Sequence, residues 1–408
     1  MELTVTTQIA GSDVVTGRLF THARRGLESA TFNYADEYLG RSDAYALAPE
    51  LPLSAGPIHT AGRPMFAVFQ DTMPDRWGRN LMLRSERRDA KSEGRTARTL
   101  LEADMLAGVD DETRHGAIRF WRGDAAVAAR DVGVPREVSL PDLLSAADLA
   151  AGDMDADVRD LVAAGSSLGG ARPKASVRDE HGRLLIAKFP RSDESSLDDV
   201  SAWERTALIL AGRVGIEVPS TRLLRIGGRG VLLLERFDRR AEVRVPYLSG
   251  LTAIQGHDGE HYSYLELVEF LEQEGASPDA DIVQLWRRIL FSAAIGNTDD
   301  HMRNHGFLRA RTGWKLAPAF DLNPTPGDQV KQLNSMFDDA SRTADPEEVV
   351  DAAEFYRLTR DEARQIAHDQ AEALAAWRDV ARSNGVATAS LNAMASNFET
   401  GAAALAGV

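Results

Sequence analysis

Over the first 70 residues apolar and polar positions alternate in short runs, Leu3–Ile9, Val14–Phe20 and Met65–Phe69, broken by Gly, Pro, Asn and Asp. That is the period of half-buried strands. Helical spacing takes over at Pro74-Asp75-Arg76-Trp77-Gly78, predicting a helix through Leu83, and returns from Thr96 to Gly108. Residues 122–138 mix Ala, Gly, Arg and Pro without a period and read as a linker. A short helix from Leu140 to Ala151 leads into a second β-rich stretch. Its strands fall at Ala175–Arg178, Leu184–Phe189, Thr221–Ile226 and Val231–Phe237, with turns at residues 179–182 and at Gly227-Gly228. One helix interrupts them: Val200, Trp203, Ala207, Leu210, Ala211 and Val214 share a face, and Gly215 stops it. After Arg240 the pattern is helical. Ser263-x-x-Glu266 is a capping box, and further helices span Ile282–Ile295, Pro346–Arg357, Thr359–Asn384 and Ser390–Leu405. The expected class is α+β: a β-rich subdomain with helices over 1–125, a small mixed lobe over 140–240 and an all-α lobe over 241–408.

Composition narrows the function. A chain of 408 residues suggests two or three domains at about 150 residues each. With 43% hydrophobic and 27% charged residues it is an ordinary globular chain. A net charge of −15 argues against coating nucleic acid or anionic lipid by bulk electrostatics. The absence of cysteine removes disulfides, thiol nucleophiles, Fe–S clusters and Cys-ligated zinc together. The longest apolar run, Ile289 to Gly296, is far short of a membrane span and is interrupted by Ser292. Met1–Phe20 lacks the basic and apolar regions of a signal peptide. A soluble cytoplasmic protein is expected.

Chemistry concentrates in a few segments. Residues 165–174, Gly-Ser-Ser-Leu-Gly-Gly-Ala-Arg-Pro-Lys, form a Gly-rich loop whose N–H groups at Gly169, Gly170 and Ala171 can approach phosphate oxygens, with Lys174 adding charge. The loop lacks the Gly-Lys-Ser/Thr ending of a Walker A motif. Lys188 lies in an otherwise apolar strand, where it is either solvated or held over nucleotide phosphates. The second role needs an orienting carboxylate, and Glu204 on the next helix is the candidate, although Ser201-x-x-Glu204 also fits a capping box. Glu235, Arg236 and Phe237 close the strand that leaves the small lobe, where a hinge would present backbone groups to a base, or they are simply the charged end of an edge strand. Asp299 and Asn304 lie five residues apart in one loop, and Asp321 follows. Phosphoryl transfer needs this set: one Asp for the attacking hydroxyl, and an Asn and a second Asp for Mg²⁺. Asp-x4-Asn alone would arise about once by chance in a chain this long. The order of all six features is what a protein-kinase-like fold requires.

Other readings of the same residues compete. His301 and His305 with Asp299, Asp300 and Asp321 contain ligands adequate for a hydrolytic Zn²⁺ or Mn²⁺ site. Asp299, Asp300 and Asn304 could instead cap the helix end after Ile295 and tie down a loop, in a binding protein without catalysis. Gly165-x-Ser167-x-Gly169 spells a nucleophile elbow, but Pro173 disfavours the helix that must follow the serine.

Three segments, Ser-Leu-Gly-Gly-Ala-Arg-Pro-Lys (167–174), Glu-Arg-Phe-Asp-Arg (235–239) and Gly-Asn-Thr-Asp-Asp-His-x-x-Asn (296–304), resemble the signatures of HipA-type serine/threonine kinases, the toxins of HipBA toxin–antitoxin modules. The resemblance runs over nearly the whole chain, and residues 73–79 are similar to the N-terminal subdomain of that family. It implies a two-lobed protein-kinase-like fold and Mg²⁺-ATP as phosphoryl source. By it, Asp299 is the catalytic aspartate and Asn304 and Asp321 bind Mg²⁺. Lys188 contacts ATP phosphates, and Glu235, Arg236 and Phe237 form the hinge. Gly169, Gly170, Ala171, Lys174, Glu204 and His301 complete the nucleotide site. A serine at the front of the loop is autophosphorylated in the family. Ser167 matches it and Ser166 adjoins it. A dianionic phosphate there cannot share a site built for ATP phosphates. Asp321 stands in Phe-Asp-Leu rather than Asp-Phe-Gly, so activation-loop arguments from ordinary kinases do not transfer. The implied target is a cytoplasmic translation protein, glutamyl-tRNA synthetase in the best-known case of an aminoacyl-tRNA synthetase substrate. The implied partner is HipB, a helix-turn-helix antitoxin that binds operator DNA. A charge of −15 fits DNA contact made mainly through that antitoxin, with no membrane involved.

Overall fold

Ala10-Gly11 and Arg25-Gly26 each place two consecutive residues at positive φ (51° and 81°; 54° and 80°). This is the type I′ turn, whose twist matches that of paired strands. The two turns fold β1 (Glu2–Ile9), β2 (Ser12–Arg24) and β3 (Leu27–Tyr34) into an antiparallel meander. A register shift at Val5/Thr6 bends β1 against β2. Gly17 on β2 is obligatory, because an added Cβ would lie 2.1 Å from the Asn33 carbonyl oxygen. With β4 (Pro57–His59), β5 (Arg119–Arg122) and β6 (Ala125–Ala126) the sheet runs β4-β3-β2-β1-β5-β6.

The computed structural model describes residues 1–128, 133–152, 158–164, 170, 172–195, 198–327 and 331–408. The chain divides into two units, one of Met1–Ser192 with Glu235–Leu248, the other of Asp193–Leu234 with Ser249–Val408.

In the first unit, Leu3, Val5, Leu19, Phe32 and Phe120 are all but sealed from solvent. Edge-to-face contacts join Phe69 to Phe32 (5.6 Å) and Phe120 (5.5 Å). α1 (Asp36–Leu39) and α2 (Ala67–Gln70) are single turns, and α3 (Arg76–Ser92) follows with Asp75 as N-cap. Met65–Phe69, expected as a strand, is largely helical. All five residues are buried, so the segment never had the alternation of a one-faced strand, and Glu50 Oε1 accepts from the Val68 N–H at 2.9 Å. α4 covers only Glu102–Gly108 of the helix expected from Thr96. The stretch read as linker carries the end of β5, all of β6 and a 3₁₀ turn at Glu137–Ser139, and residues 129–132 lie outside those described. α5 (Leu140–Gly152) buries Leu140, Leu143, Leu144, Ala147 and Ala150 at helical spacing. α6 (Arg159–Ala163) precedes the hairpin of β7 (Lys174–Arg178) and β8 (Leu184–Lys188).

In the second unit, α7 (Val200–Arg213) leads to the hairpin of β9 (Thr221–Ile226) and β10 (Arg229–Glu235), turned at Gly227-Gly228. Helices then dominate: α8 (Gly250–Ala253), α9 (Tyr264–Glu274) with its predicted Ser263/Glu266 capping box, α10 (Pro278–Ile295) and α11 (Pro346–Asp351). A hairpin of Gly306–Arg309 with Trp314–Leu316 is set among them. The helix expected from Thr359 to Asn384 breaks at Ala376 into α12 (Arg360–Ala375) and α13 (Trp377–Ser383), and α14 (Thr388–Gly407) ends the chain. Trp203 of α7 stacks on Phe398 of α14, as does Trp377 of α13 (5.8 and 5.0 Å). No helix among the described residues is long and apolar enough to cross a membrane. The chain is thus a mixed α/β protein, β-rich at its N-terminus and mainly helical at its C-terminus.

Candidate active site

In the second unit, α10 ends on Gly296 in the left-handed conformation (φ 60°). The chain turns there into the loop that carries Asp299 and Asn304. Three links lace this loop to the one carrying Asp321. The Thr325 N–H donates to the Gly296 carbonyl (3.2 Å), the Asn323 N–H to Asn297 Oδ1 (3.4 Å), and the hydroxyls of Thr298 and Thr325 meet at 3.2 Å. The Asn304 amide donates to the Asp299 carbonyl at 2.7 Å, fixing the spacing within the Asp-x4-Asn stretch. Asp299 itself is exposed. Asp321 has φ 55°, a left-handed backbone that costs a non-glycine residue energy and persists where its surroundings enforce it.

The neighbouring Asp300 and His305 are committed elsewhere. Both are buried, 3.0 Å apart, and the Tyr264 hydroxyl donates to the other Asp300 oxygen at 2.8 Å. Burial alone would raise the Asp300 carboxyl, but His305 and Tyr264 hold it below its usual range. Burial and this carboxylate push the Tyr264 phenol well up. Asp300 and His305 are therefore internal braces of the loop. Among the described residues no three His, Asp, Glu or Cys side chains converge as a metal cluster, so the His/Asp hydrolytic site is not assembled. What remains is an oxygen-donor pair, Asn304 and Asp321. The Asn304 N–H is spent on Asp299, which leaves its Oδ1 as acceptor. Such a pair suits a hard cation completed by phosphate and water oxygens, as Mg²⁺ is commonly held.

The loop is clamped from behind. Asn397 on α14 donates to the Ile295 carbonyl at 2.5 Å, and Lys331 bonds both Asn397 Oδ1 and the Thr325 carbonyl. Arg288 on α10, fully buried and pushed down to about 10 by that burial, donates to the Ala317 carbonyl at 2.7 Å, four residues before Asp321. A cavity of about 220 Å³ opens beside the loop, bounded by His257, His261, Tyr262, His301, Arg303 and Asn334. The buried Nδ1 of His301 has no hydrogen-bond partner there.

In the first unit, Lys174 and Lys188 are directly paired across the β7/β8 hairpin, so both project from one face. Both are buried. Lys174 Nζ reaches Asp75 Oδ2 at 2.9 Å. Glu235 is half-buried and lies 3.3 Å from Arg183. Arg236 is occupied by a buried cluster. It binds Asp238 through two nitrogens (2.8 and 2.6 Å) and donates to the Thr113 and Arg114 carbonyls, while Arg239 and the Gly116 N–H share Asp238 at 2.7 Å. The Arg236 side chain is thus an internal bolt, unavailable for the hinge role, and its backbone N–H donates to the Leu184 carbonyl at 3.3 Å. Burial opposes the Asp238 charge, but Arg236 and Arg239 hold its carboxyl far below the usual range. Phe237 rests near Tyr247, ring centroids 6.1 Å apart.

Glu204, in the second unit, is buried one turn into α7. The helix is capped by Asp199, which removes the Ser201/Glu204 capping box as its explanation. Gly169, Ala171, Ser166 and Ser167 lie outside the described residues. Asp75, Asn297, Lys331 and Asn397 were not singled out from the sequence. Asp75 stands in the segment 73–79 and Asn297 in the segment 296–304, whereas Lys331 and Asn397 lie in neither.

Residues 166–378 match the HipA-like C-terminal domain, and residues 8–103 the HipA N-terminal domain. A Haemophilus influenzae protein whose name assigns it provisionally to the kinases is 26% identical over 183 residues, 39% of this chain and 52% of that protein. A Sinorhizobium fredii protein named in the same way is 26% identical over 151 residues, 34% of each. The chain thus spans about half the length of the first relative and about a third of the second. The HipA of Shewanella oneidensis MR-1, solved with HipB and operator DNA, shares the fold. Its TM-score is 0.70 at 16% identity, over 99% of this chain and 96% of that one. With both family domains matched along its length, the chain belongs to the HipA family.

Proposed function

We propose that this HipA-family chain is a Mg²⁺-ATP-dependent serine/threonine protein kinase acting as the toxin of a toxin–antitoxin module. The observation that carries this reading is the pair of laced loops, with Asp299 exposed, Asn304 bonded to its carbonyl and Asp321 in a left-handed conformation. Asp299 orients the acceptor hydroxyl and takes its proton. The acceptor oxygen then bonds to the γ-phosphorus as the bond to the ADP oxygen breaks, and the proton passes from Asp299 to solvent. Asn304 and Asp321 would hold Mg²⁺, which when bound offsets the charge of the β- and γ-phosphates. Lys174 and Lys188, side by side on one sheet face, serve the phosphates. The acceptor polypeptide docks at the cavity beside His301.

The acceptors are Ser167 of the chain's own Gly-rich loop and a translation-related protein of the aminoacyl-tRNA synthetase type. The partner is a HipB-like helix-turn-helix antitoxin, through which the acidic chain meets operator DNA. The Shewanella protein of the same fold was solved with such partners. In the test, wild type and Asp299→Asn are incubated with Mg²⁺-ATP and incorporated phosphate is mapped by mass spectrometry. Phosphate should appear on Ser167 in wild type only, with both proteins melting alike. Undiminished transfer by Asp299→Asn sinks the catalytic assignment, and phosphate confined to Ser166 or elsewhere sinks the choice of serine.

A further inference from the structure

The β7/β8 pairing sets Lys174 opposite Lys188, and like charges directly across a ladder repel. Both ammonium groups are also largely withdrawn from water. Such a pair persists only where anions are supplied. For Lys174 the anion comes from the N-terminal domain: Asp75 Oδ2 stands 2.9 Å from Nζ, and both side chains are 3% exposed. Asp75 is itself fixed, because its Oδ1 accepts the Gly78 N–H at 2.8 Å as N-cap of α3. Two residues on, the Trp77 N–H approaches the Gly170 carbonyl at 3.4 Å. Gly170 has φ 87°, and a Cβ there would stand 3.2 Å from Lys174 Nζ. The start of α3 thus grips the chain on both sides of Arg172-Pro173, at a carbonyl and at an ammonium.

We propose that Asp75 is a positioning residue for nucleotide binding, holding the Lys174 ammonium beside that of Lys188 so that the N-terminal domain completes the phosphate-binding face. The proposal rests on the kinase reading above. Asp75 acts through Lys174 and touches no substrate. One carboxylate both caps α3 and sets the lysine, so any displacement of α3 is transmitted to the phosphate face.

The experiment is a double-mutant cycle of Asp75→Asn and Lys174→Met in the full chain. Asn keeps the capping oxygen and removes the charge. The double variant removes both partners, which spares the fold the lone buried charge that either single variant leaves. Two readouts are taken. Reductive methylation of the nucleotide-free protein, followed by mass spectrometry, should find Lys174 protected in wild type and modified at least tenfold faster in Asp75→Asn. Calorimetric titration with Mg²⁺ and a non-hydrolysable ATP analogue should show about tenfold weaker binding in Asp75→Asn. Lys174→Met should be equally weak, and the double variant no weaker than Lys174→Met.

Unchanged lysine reactivity and affinity, with only a lower melting temperature, would show Asp75 to be purely structural and overturn the proposal. Tighter binding in Asp75→Asn also overturns it, since Asp75 would then compete with phosphate rather than place its ligand. If the wild type binds no nucleotide, the kinase reading falls and the role of Lys174 with it. Wild-type binding with an unaffected Asp75→Asn variant refutes this proposal alone.

Discussion

Gly401→Ala is the most exposed consequence of the way the Asp299 loop is held. Gly401 lies on α14, and a Cβ added there would stand 1.9 Å from the Ala294 carbonyl oxygen of α10, where ordinary contact begins near 3.4 Å. The obstacle is helix backbone, so no side chain can swing aside. About 1.5 Å must come from moving one helix against the other. Overpacking of this kind costs roughly 1–3 kcal/mol, or about 2–12 °C in melting temperature for a unit of this size. The functional cost should be larger. One turn earlier on the same face, Asn397 grips the Ile295 carbonyl and accepts from Lys331, which also ties the Asp321 loop at Thr325. Moving α14 therefore moves both loops. A misplacement of about 1 Å in a catalytic group can lower the rate about a hundredfold. The assay is the initial rate of γ-phosphoryl transfer at saturating Mg²⁺-ATP, read beside the melting temperature. The expected variant is folded, modestly destabilised and about a hundredfold slower. A lower melting temperature with the full rate would refute the argument that α14 sets the loop.

The other predictions concern the first unit. Asp238→Ala should cost about 3–5 kcal/mol in urea unfolding, because it strands the buried Arg236 and Arg239 guanidinium groups and the Gly116 N–H. Replacing both members, as Arg236→Met with Asp238→Leu, should recover part of that, and a loss under 1 kcal/mol in Asp238→Ala would contradict the bolt. His115 is stacked on Tyr247 at 4.0 Å among Asp238, Arg236 and Arg239, and burial pushes its imidazole down to about 4 from 6.5. The unfolded chain therefore takes up the extra proton between those values, so stability falls as pH drops through that window. Wild type should be about 2 kcal/mol less stable at pH 5 than at pH 7.5 on this account. His115→Phe should lose that slope, and an identical slope in the variant would rule the residue out.

What could be read from the sequence was whatever a short segment decides by itself. The turn at Gly227-Gly228 and the Ser263/Glu266 box are local signals, and each is present as expected. The Asp299 and Asn304 pair was legible for the same reason, since its five-residue spacing is closed by one hydrogen bond within the loop. Met65–Phe69 misled because a five-residue apolar run has no period of its own, and tertiary burial on all sides chose the helix. Glu204 had a local explanation in the capping box, which failed when Asp199 proved to be the cap.

The supports of the site were illegible because they are tertiary. Asn397 lies far along the chain from Ile295, and nothing near either residue announces the other. Lys174 shows why a residue type alone does not assign a role. A lysine after a Gly-rich loop suggests phosphate, yet in the folded chain it already has a carboxylate from 99 residues upstream. That carboxylate is compatible with the phosphate role proposed above. A long, flexible ammonium side chain beside a second lysine has many positions available, and a buried partner of fixed geometry selects one. The net charge of −15 is therefore a poor guide to the local field. In the first unit two ammonium groups share one sheet face and Asp75 is fixed to one of them, so the field there is decided by which charges the fold brings together and not by their sum over the chain.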